Sequence, residues 1–73
     1  MTHRNGKHRD RSLVRAIAVA GGPAALARTL EITVQAVSNW RRCPPDRAIA
    51  IEEATNGVVK RYELRPDVFG KAA

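Results

Sequence analysis

Between Ser12 and Ala20 the apolar residues Leu13, Val14, Ile17 and Ala20 recur at the three-to-four-residue spacing of a helix with one buried face. Asp10 or Ser12 can cap this helix, and Gly21-Gly22 stops it. Pro23 then suits a first helical turn, where no N–H is needed, and the stretch to Leu30 contains no β-branched residue except Thr29. The pattern predicts a short second helix with a core stripe of Leu26, Ala27 and Leu30. Glu31-Ile32 interrupts it, Thr33 is a good N-cap, and a third helix is expected through Arg42, where Pro44-Pro45 must end it. Asp46 to Thr55 reads as a fourth helix burying Ile49, Ile51 and Ala54, with Asn56-Gly57 as its stop. Val58 to Leu64 predicts a short fifth helix, ended by Arg65-Pro66-Asp67 before a tail that carries Val68 and Phe69. Strand alternation, repeats and low-complexity segments are absent from the sequence. The expected fold is all-α, compact, with four to five helices: a flexible basic arm over 1–11 containing Arg4, Lys7 and Arg9, one domain over 12–70, and a tail at 71–73.

Length narrows the functions open to such a domain. A chain of 73 residues holds one domain, and at that size only about 60% of the unfolded surface is buried, which leaves little room for an enclosed active site. Aromatic residues make up 4% of the chain, so the core must come from Ala, Val, Ile and Leu with one Trp, one Tyr and one Phe. The sequence has no apolar run near the roughly 20 residues a bilayer span needs, and its polar start lacks an apolar signal region. The expectation is a cytoplasmic protein in a reducing cytosol, outside any membrane. Cys43 is the single cysteine, which excludes an internal disulfide framework and a multi-cysteine zinc site. Thirteen Lys and Arg against seven Asp and Glu give a net charge of +6, and a pI near 10.8 falls in the range of nucleic-acid-binding domains. Ribosomal, nucleoid and membrane-surface proteins share this balance, so the placement of the charges has to decide.

That placement is informative from Ala24 to Arg42. A short helix centred on Ala27, Leu30 three residues later, Ile32 after a turn, and then a helix buried through Val37 and Trp40 has the spacing of a helix-turn-helix over about 23–42. A small Ala27 lets two helices cross closely, Leu30, Ile32 and Val37 fill the wedge, and Trp40 reads as a core anchor rather than a base-stacking residue. The opposite stripe of the third helix is Gln35, Ser38, Asn39 and Arg42. Amides can pair bidentately with adenine, a hydroxyl can donate or accept, and Arg can reach phosphate or guanine in a major groove that admits a helix. The alternative is an ordinary solvated face, but such faces are rich in Lys and Glu, whereas this one has short amides and a hydroxyl flanked by Arg41 and Arg42.

The chain resembles the lambda-repressor-like, Cro/C1-type helix-turn-helix regulators, and more narrowly the small YdaS-like regulators of phages and toxin–antitoxin operons. The resemblance rests on Gly21 to Ala27, Ile32 to Trp40, Arg47 to Glu52 and Leu64 to Phe69, and extends over nearly everything from Ser12 to Gly70. It implies a recognition helix at about 33–42 in the major groove, with Val34, Gln35, Ser38 and Asn39 reading bases and Thr33 meeting a phosphate at the helix N-terminus. Arg28, Arg41 and Arg42 are the further candidate phosphate contacts. One departure is Glu31, where the family usually has Gly in the turn. A left-handed conformation there costs a non-glycine residue roughly 1–2 kcal/mol, and the acid is expected to point away from DNA or to pair with Arg28.

The remaining candidates have plainer readings. His3 and His8 lie in the arm without ligand partners at metal spacing, and Cys43 follows two arginines that would favour its thiolate but reads more simply as a loop cysteine. Glu52 and Glu53 point in different directions on a helix and have no His beside them, so they read as surface acids or partners of helix-end arginines. An enzyme is not expected, because no nucleophile, base and orienting group can be assembled; no cofactor and no metal are expected either. The sequence therefore predicts a sequence-specific regulator whose partner is double-stranded operator DNA, acting as a homodimer with Val68 and Phe69 as candidate contacts. Two other readings remain open: an antitoxin that binds a cognate toxin and regulates its own operon, and a non-specific basic nucleic-acid binder.

Overall fold

A computed structural model describes residues 9–70; His3, His8, most of the predicted arm and the 71–73 tail lie outside the described residues. The described chain runs through α1 (Arg11–Ala20), α2 (Pro23–Leu30), α3 (Val34–Asn39), a 3-10 turn at Pro45–Arg47, α4 (Ala48–Ala54), α5 (Arg61–Leu64) and α6 (Pro66–Phe69), with no strand among those residues. The all-helical expectation holds, with one more short helix than predicted.

Asp10 rather than Ser12 opens α1: its Oδ2 accepts from the Leu13 N–H at 3.3 Å. The helix closes at Gly21, whose φ of 103° is open to glycine, while the Gly22 N–H reaches back to the Ile17 carbonyl at 2.8 Å. The buried stripe is Leu13, Ala16 and Ile17. Val14, expected inside, is 49% exposed because it sits a helical step of about 100° away from Leu13. Pro23 starts α2 at an angle of 82° to α1, and Leu26 and Ala27 are buried as the spacing required.

At its far end α2 closes through Glu31, which adopts φ 60° and ψ 42°. The Ile32 N–H donates to the Ala27 carbonyl at 2.9 Å and the Glu31 N–H to the Arg28 carbonyl at 3.2 Å. This is a Schellman closure with a glutamate at the left-handed position where glycine is usual. Among the described residues no ion pair joins Glu31 to Arg28.

The predicted fourth helix divides. Pro44 and Pro45 force a tighter beginning, the Arg47 N–H bonds the Pro44 carbonyl at 2.9 Å, and regular α geometry starts only at Ala48. Ala48 and Ile51 then face the core and Ile49, expected to be buried, is exposed. Asn56 and Gly57 stop α4 with φ of 55° and 78°. Thr55, only 1% exposed, donates its hydroxyl to the Glu52 carbonyl at 2.9 Å and accepts from the Val59 N–H at 3.2 Å. The threonine thus holds 58–60 in an irregular connection, which is why the predicted fifth helix shrinks to Arg61–Leu64. Pro66, expected to end the helical structure, instead occupies the first turn of α6. Phe69 folds back onto the core, where it stays partly exposed, while Val68 is exposed.

These elements enclose a single core of Leu13, Ala16, Ile17, Leu26, Ala27, Val37, Cys43, Ala48, Ile51, Val59 and Leu64, flanked by Leu30, Ile32, Trp40 and Phe69. Each fully buried Leu or Ile in it contributes about 1.5–3 kcal/mol. Cys43 is part of this core rather than a reactive loop residue. Burial pushes its thiol up to about 11, which outweighs the opposing pull of Arg65, and the thiol bonds the Pro44 carbonyl at 3.2 Å.

Candidate nucleic-acid interface

A six-residue helix such as α3 is marginal by itself, since nucleation costs more than a few hydrogen bonds return. It persists because both ends and one face are tied down. At the N-terminus the Thr33 hydroxyl accepts from the Ala36 N–H at 3.0 Å, the side-chain cap expected of threonine in an extended conformation. On the inner face Val37 is fully buried and Trp40 packs against the core. Trp40 itself has left the helix, with φ −72° and ψ 130°. The third helix therefore ends three residues before Arg42, so Arg42 does not continue the polar stripe as predicted.

The outer face carries Val34, 46% exposed, and Gln35, Ser38 and Asn39, also exposed. Positions 34 and 38, and 35 and 39, are one helical turn apart, so the four side chains form one contiguous patch. The Gln35 Nε2 approaches the Asn39 Oδ1 at 3.4 Å, which aligns the two amides on that patch. With its side chains an α-helix is about 10–12 Å across, which matches the roughly 12 Å width of a B-DNA major groove.

The cations are distributed unevenly. Arg28 lies exposed in the last turn of α2, and Arg41 lies exposed beyond α3, neither with an ion-pair partner among the described residues. Arg42 instead donates to the Asp67 Oδ1 at 3.0 Å. Asp67 is gripped on both oxygens by Arg65, at 3.0 and 2.7 Å, and the Arg65 guanidinium also donates to the Cys43 carbonyl at 3.1 Å. The Arg65 hydrogen bonds hold the Asp67 carboxyl down to about 2. Glu52, read as a surface acid or arginine partner, accepts from both the side chain and the backbone N–H of Arg61 at 2.9 Å, and these bonds lower its pKa.

One residue at this site escaped the sequence reading. Arg9, assigned to the mobile arm, donates its Nε to the Trp40 carbonyl at 3.0 Å and its Nη2 to the Ser38 carbonyl at 2.8 Å. The neighbouring Asp10 N–H bonds the Arg41 carbonyl at 2.6 Å. Residues 29 and 31 positions away in sequence leave no local signal from which this contact could be read. Among the described residues no group of three or more His, Cys, Asp or Glu is arranged to hold a metal ion, and no single helix is long and apolar enough to cross a membrane.

A buried wedge between α2 and α3, a left-handed turn between them and an exposed polar face on the second helix define a Cro-like helix-turn-helix fold. The Cro protein from "putative prophage element Xfaso 1" in Xylella fastidiosa strain Ann-1 has the same architecture: the match has a TM-score of 0.77 and 46% identity, and covers 82% of this chain and 97% of that one. The family model described as "Bacterial toxin YdaS" matches residues 13–73, and the chain belongs to this YdaS family. A relative in Escherichia coli strain K12, named "Putative transcriptional regulator YdaS", is 42% identical over 66 residues, spanning 85% of this chain and 67% of the relative.

Proposed function

We propose that the protein is a sequence-specific regulator that binds double-stranded operator DNA, with α3 in the major groove. The observation that carries this reading is the contiguous exposed patch of Val34, Gln35, Ser38 and Asn39 on the second helix of a helix-turn-helix. In this reading Gln35 and Asn39 pair with base edges, Ser38 donates or accepts beside them, and Val34 packs on a thymine methyl. Thr33, Arg28 and Arg41 meet phosphates, and Arg42 adds what its ion pair with Asp67 leaves over. Similarity to proteins named as a transcriptional regulator and as a Cro protein supports the assignment. The protein acts without enzymatic chemistry, in the cytosol, and as a homodimer on two half-sites about one DNA turn apart, because one six-residue helix reads too few bases to specify an operator.

The test is a pair of binding isotherms for Gln35→Ala, on an operator selected from random duplex and on a scrambled duplex, at one salt concentration. A bidentate amide–adenine pair is worth about 1–3 kcal/mol, so operator affinity should fall between about 5- and 150-fold while scrambled affinity hardly moves. Equal losses on both duplexes, or no loss on either, would remove Gln35 from base reading. The family's description as a toxin favours a second reading, in which production of the protein harms the cell through this same surface. Growth arrest on induction that persists in Gln35→Ala would detach toxicity from base reading.

A further inference from the structure

The C-terminal end of α3 is held by a residue from outside the helix-turn-helix. Arg9 lies before α1, yet its guanidinium spans the carbonyls of Ser38 and Trp40 at 2.8 and 3.0 Å. Ser38 belongs to the exposed reading patch and Trp40 to the core edge, so one side chain ties the outer surface of the helix to its anchor. The Asp10 N–H on the Arg41 carbonyl makes the tie a three-point strap from the start of α1 to 38–41. The same groups line an open cleft of about 560 Å³ formed by Arg9, Val14, Ser38, Asn39, Trp40 and Arg41.

The chemistry of the end explains why a guanidinium is suited to it. The last carbonyls of a helix lack intrahelical partners and carry the negative end of the helix dipole. In α3 this end follows directly on Ser38 and Asn39, two of the side chains placed against bases. A planar fork meets two carbonyls from one rigid group, whereas an ammonium is a point charge on a flexible stem. Without the fork the last turn of so short a helix can fray, and a reading side chain must hold its position to within roughly 0.5 Å to discriminate.

We propose that Arg9 is a positioning residue for sequence reading: by forking across the Ser38 and Trp40 carbonyls it fixes the C-terminal turn of α3, and so sets the preference for operator over other DNA. The proposal rests on α3 being the reading helix. Two of its five N–H donors go to these carbonyls, and the proposed contribution of Arg9 is to selectivity, which a charge-keeping variant separates from phosphate contact.

The experiment compares Arg9→Lys and Arg9→Ala with the wild type in the full chain. Affinities for selected operator and scrambled duplex are measured over a salt series, and helix content and thermal midpoint are recorded by circular dichroism. Arg9→Lys keeps the charge and loses the fork. It should keep its scrambled-duplex affinity and salt slope while its operator-to-scrambled ratio falls by about tenfold, the discrimination lost when one base contact becomes imprecise. Arg9→Ala should lose the same ratio. A purely structural role predicts something different: both affinities fall together with the folded fraction and the ratio stays constant. A ratio preserved in folded Arg9→Lys overturns the proposal and leaves DNA reading by α3 intact. A wild type with no operator preference overturns both. Should Arg9→Ala fail to fold, the lysine variant alone decides.

Discussion

Replacing Glu31 by glycine perturbs a single backbone torsion in a place where the cost can be worked out. Glu31 is held at φ 60° by the closure of α2, and its side chain is exposed. A left-handed residue with a Cβ costs roughly 1–2 kcal/mol relative to glycine. Glycine gives back about 0.4–1 kcal/mol of this through the freedom it adds to the unfolded chain. The expected net gain is about 0.5–1 kcal/mol, which in a domain of this size raises the melting temperature by about 2–8 °C. The charge also changes, since losing an acid from a chain of net charge +6 adds slightly to self-repulsion. Glu31→Gln controls for that, because it removes the charge and keeps the strained Cβ. Thermal denaturation followed by circular dichroism should therefore show a stabilised glycine variant and a glutamine variant close to wild type. A glycine variant that melts lower than wild type would refute the strain argument, and a glutamine variant stabilised to the same degree would assign the gain to charge.

Two further outcomes follow from ionisable groups. Arg61 holds Glu52 below its ordinary pKa of 4.5, and Arg65 holds Asp67 down from 3.8 to about 2. Carboxylates with depressed folded pKa values stabilise fully above their unfolded values and lose that contribution as pH falls through the folded ones. The melting temperature should thus be insensitive to these groups above pH 4.5 and decline toward pH 2. The decline should be shallower in a Glu52→Gln, Asp67→Asn double variant, and identical slopes would show that neither pair couples to folding. Cys43, buried and pushed up to about 11, should resist a thiol reagent at pH 8 in the native protein and react at once in denaturant. Rapid labelling without denaturant would place the thiol outside the core.

Local chemistry made most of the fold legible in the sequence. Pro23 at a helix start, Thr33 as a cap, Gly21 and Asn56-Gly57 as stops, and Leu26, Ala27 and Val37 as core residues all act within a few positions of themselves. The exposed face of Gln35, Ser38 and Asn39 was visible for the same reason, because side chains one turn apart share a face, whereas Val34 came from the family resemblance alone. What the sequence hid depends on contacts between distant segments. Proline at 66 is compatible with stopping one helix or starting another, and only the packing of Phe69 on the core selects the second. The extension of the third helix to Arg42 failed because anchoring Trp40 draws the chain out of α geometry. Val14 and Ile49 were misplaced by a single helical step, since a loose apolar period cannot distinguish neighbouring stripes when several residues are apolar. Cys43 looked electropositive in sequence, yet burial dominates in the fold.

Folding also converts an average charge into a local one. A net charge of +6 spread evenly over the chain would favour any polyanion and give little orientation. The acids, however, are spent unequally: Glu52 pairs with Arg61, Glu63 with Arg15, and Asp67 with Arg65 and Arg42, and each of these pairs joins the C-terminal half of the domain to itself or to α1 or the segment after α3. The long, exposed Arg15–Glu63 pair adds little to stability, but all four pairs cancel charge where they form. Arg28 and Arg41 escape cancellation among the described residues, and they lie at the end of α2 and just past the end of α3, on either side of the exposed polar patch in sequence. Arg28 and Arg41 thus keep their charge on the two sides of α3 in sequence, with the acid Glu31 between them, as Arg11, Arg47 and Lys60 keep theirs elsewhere. In the proposed reading, an approaching phosphate backbone meets Arg28 and Arg41 on either side of α3.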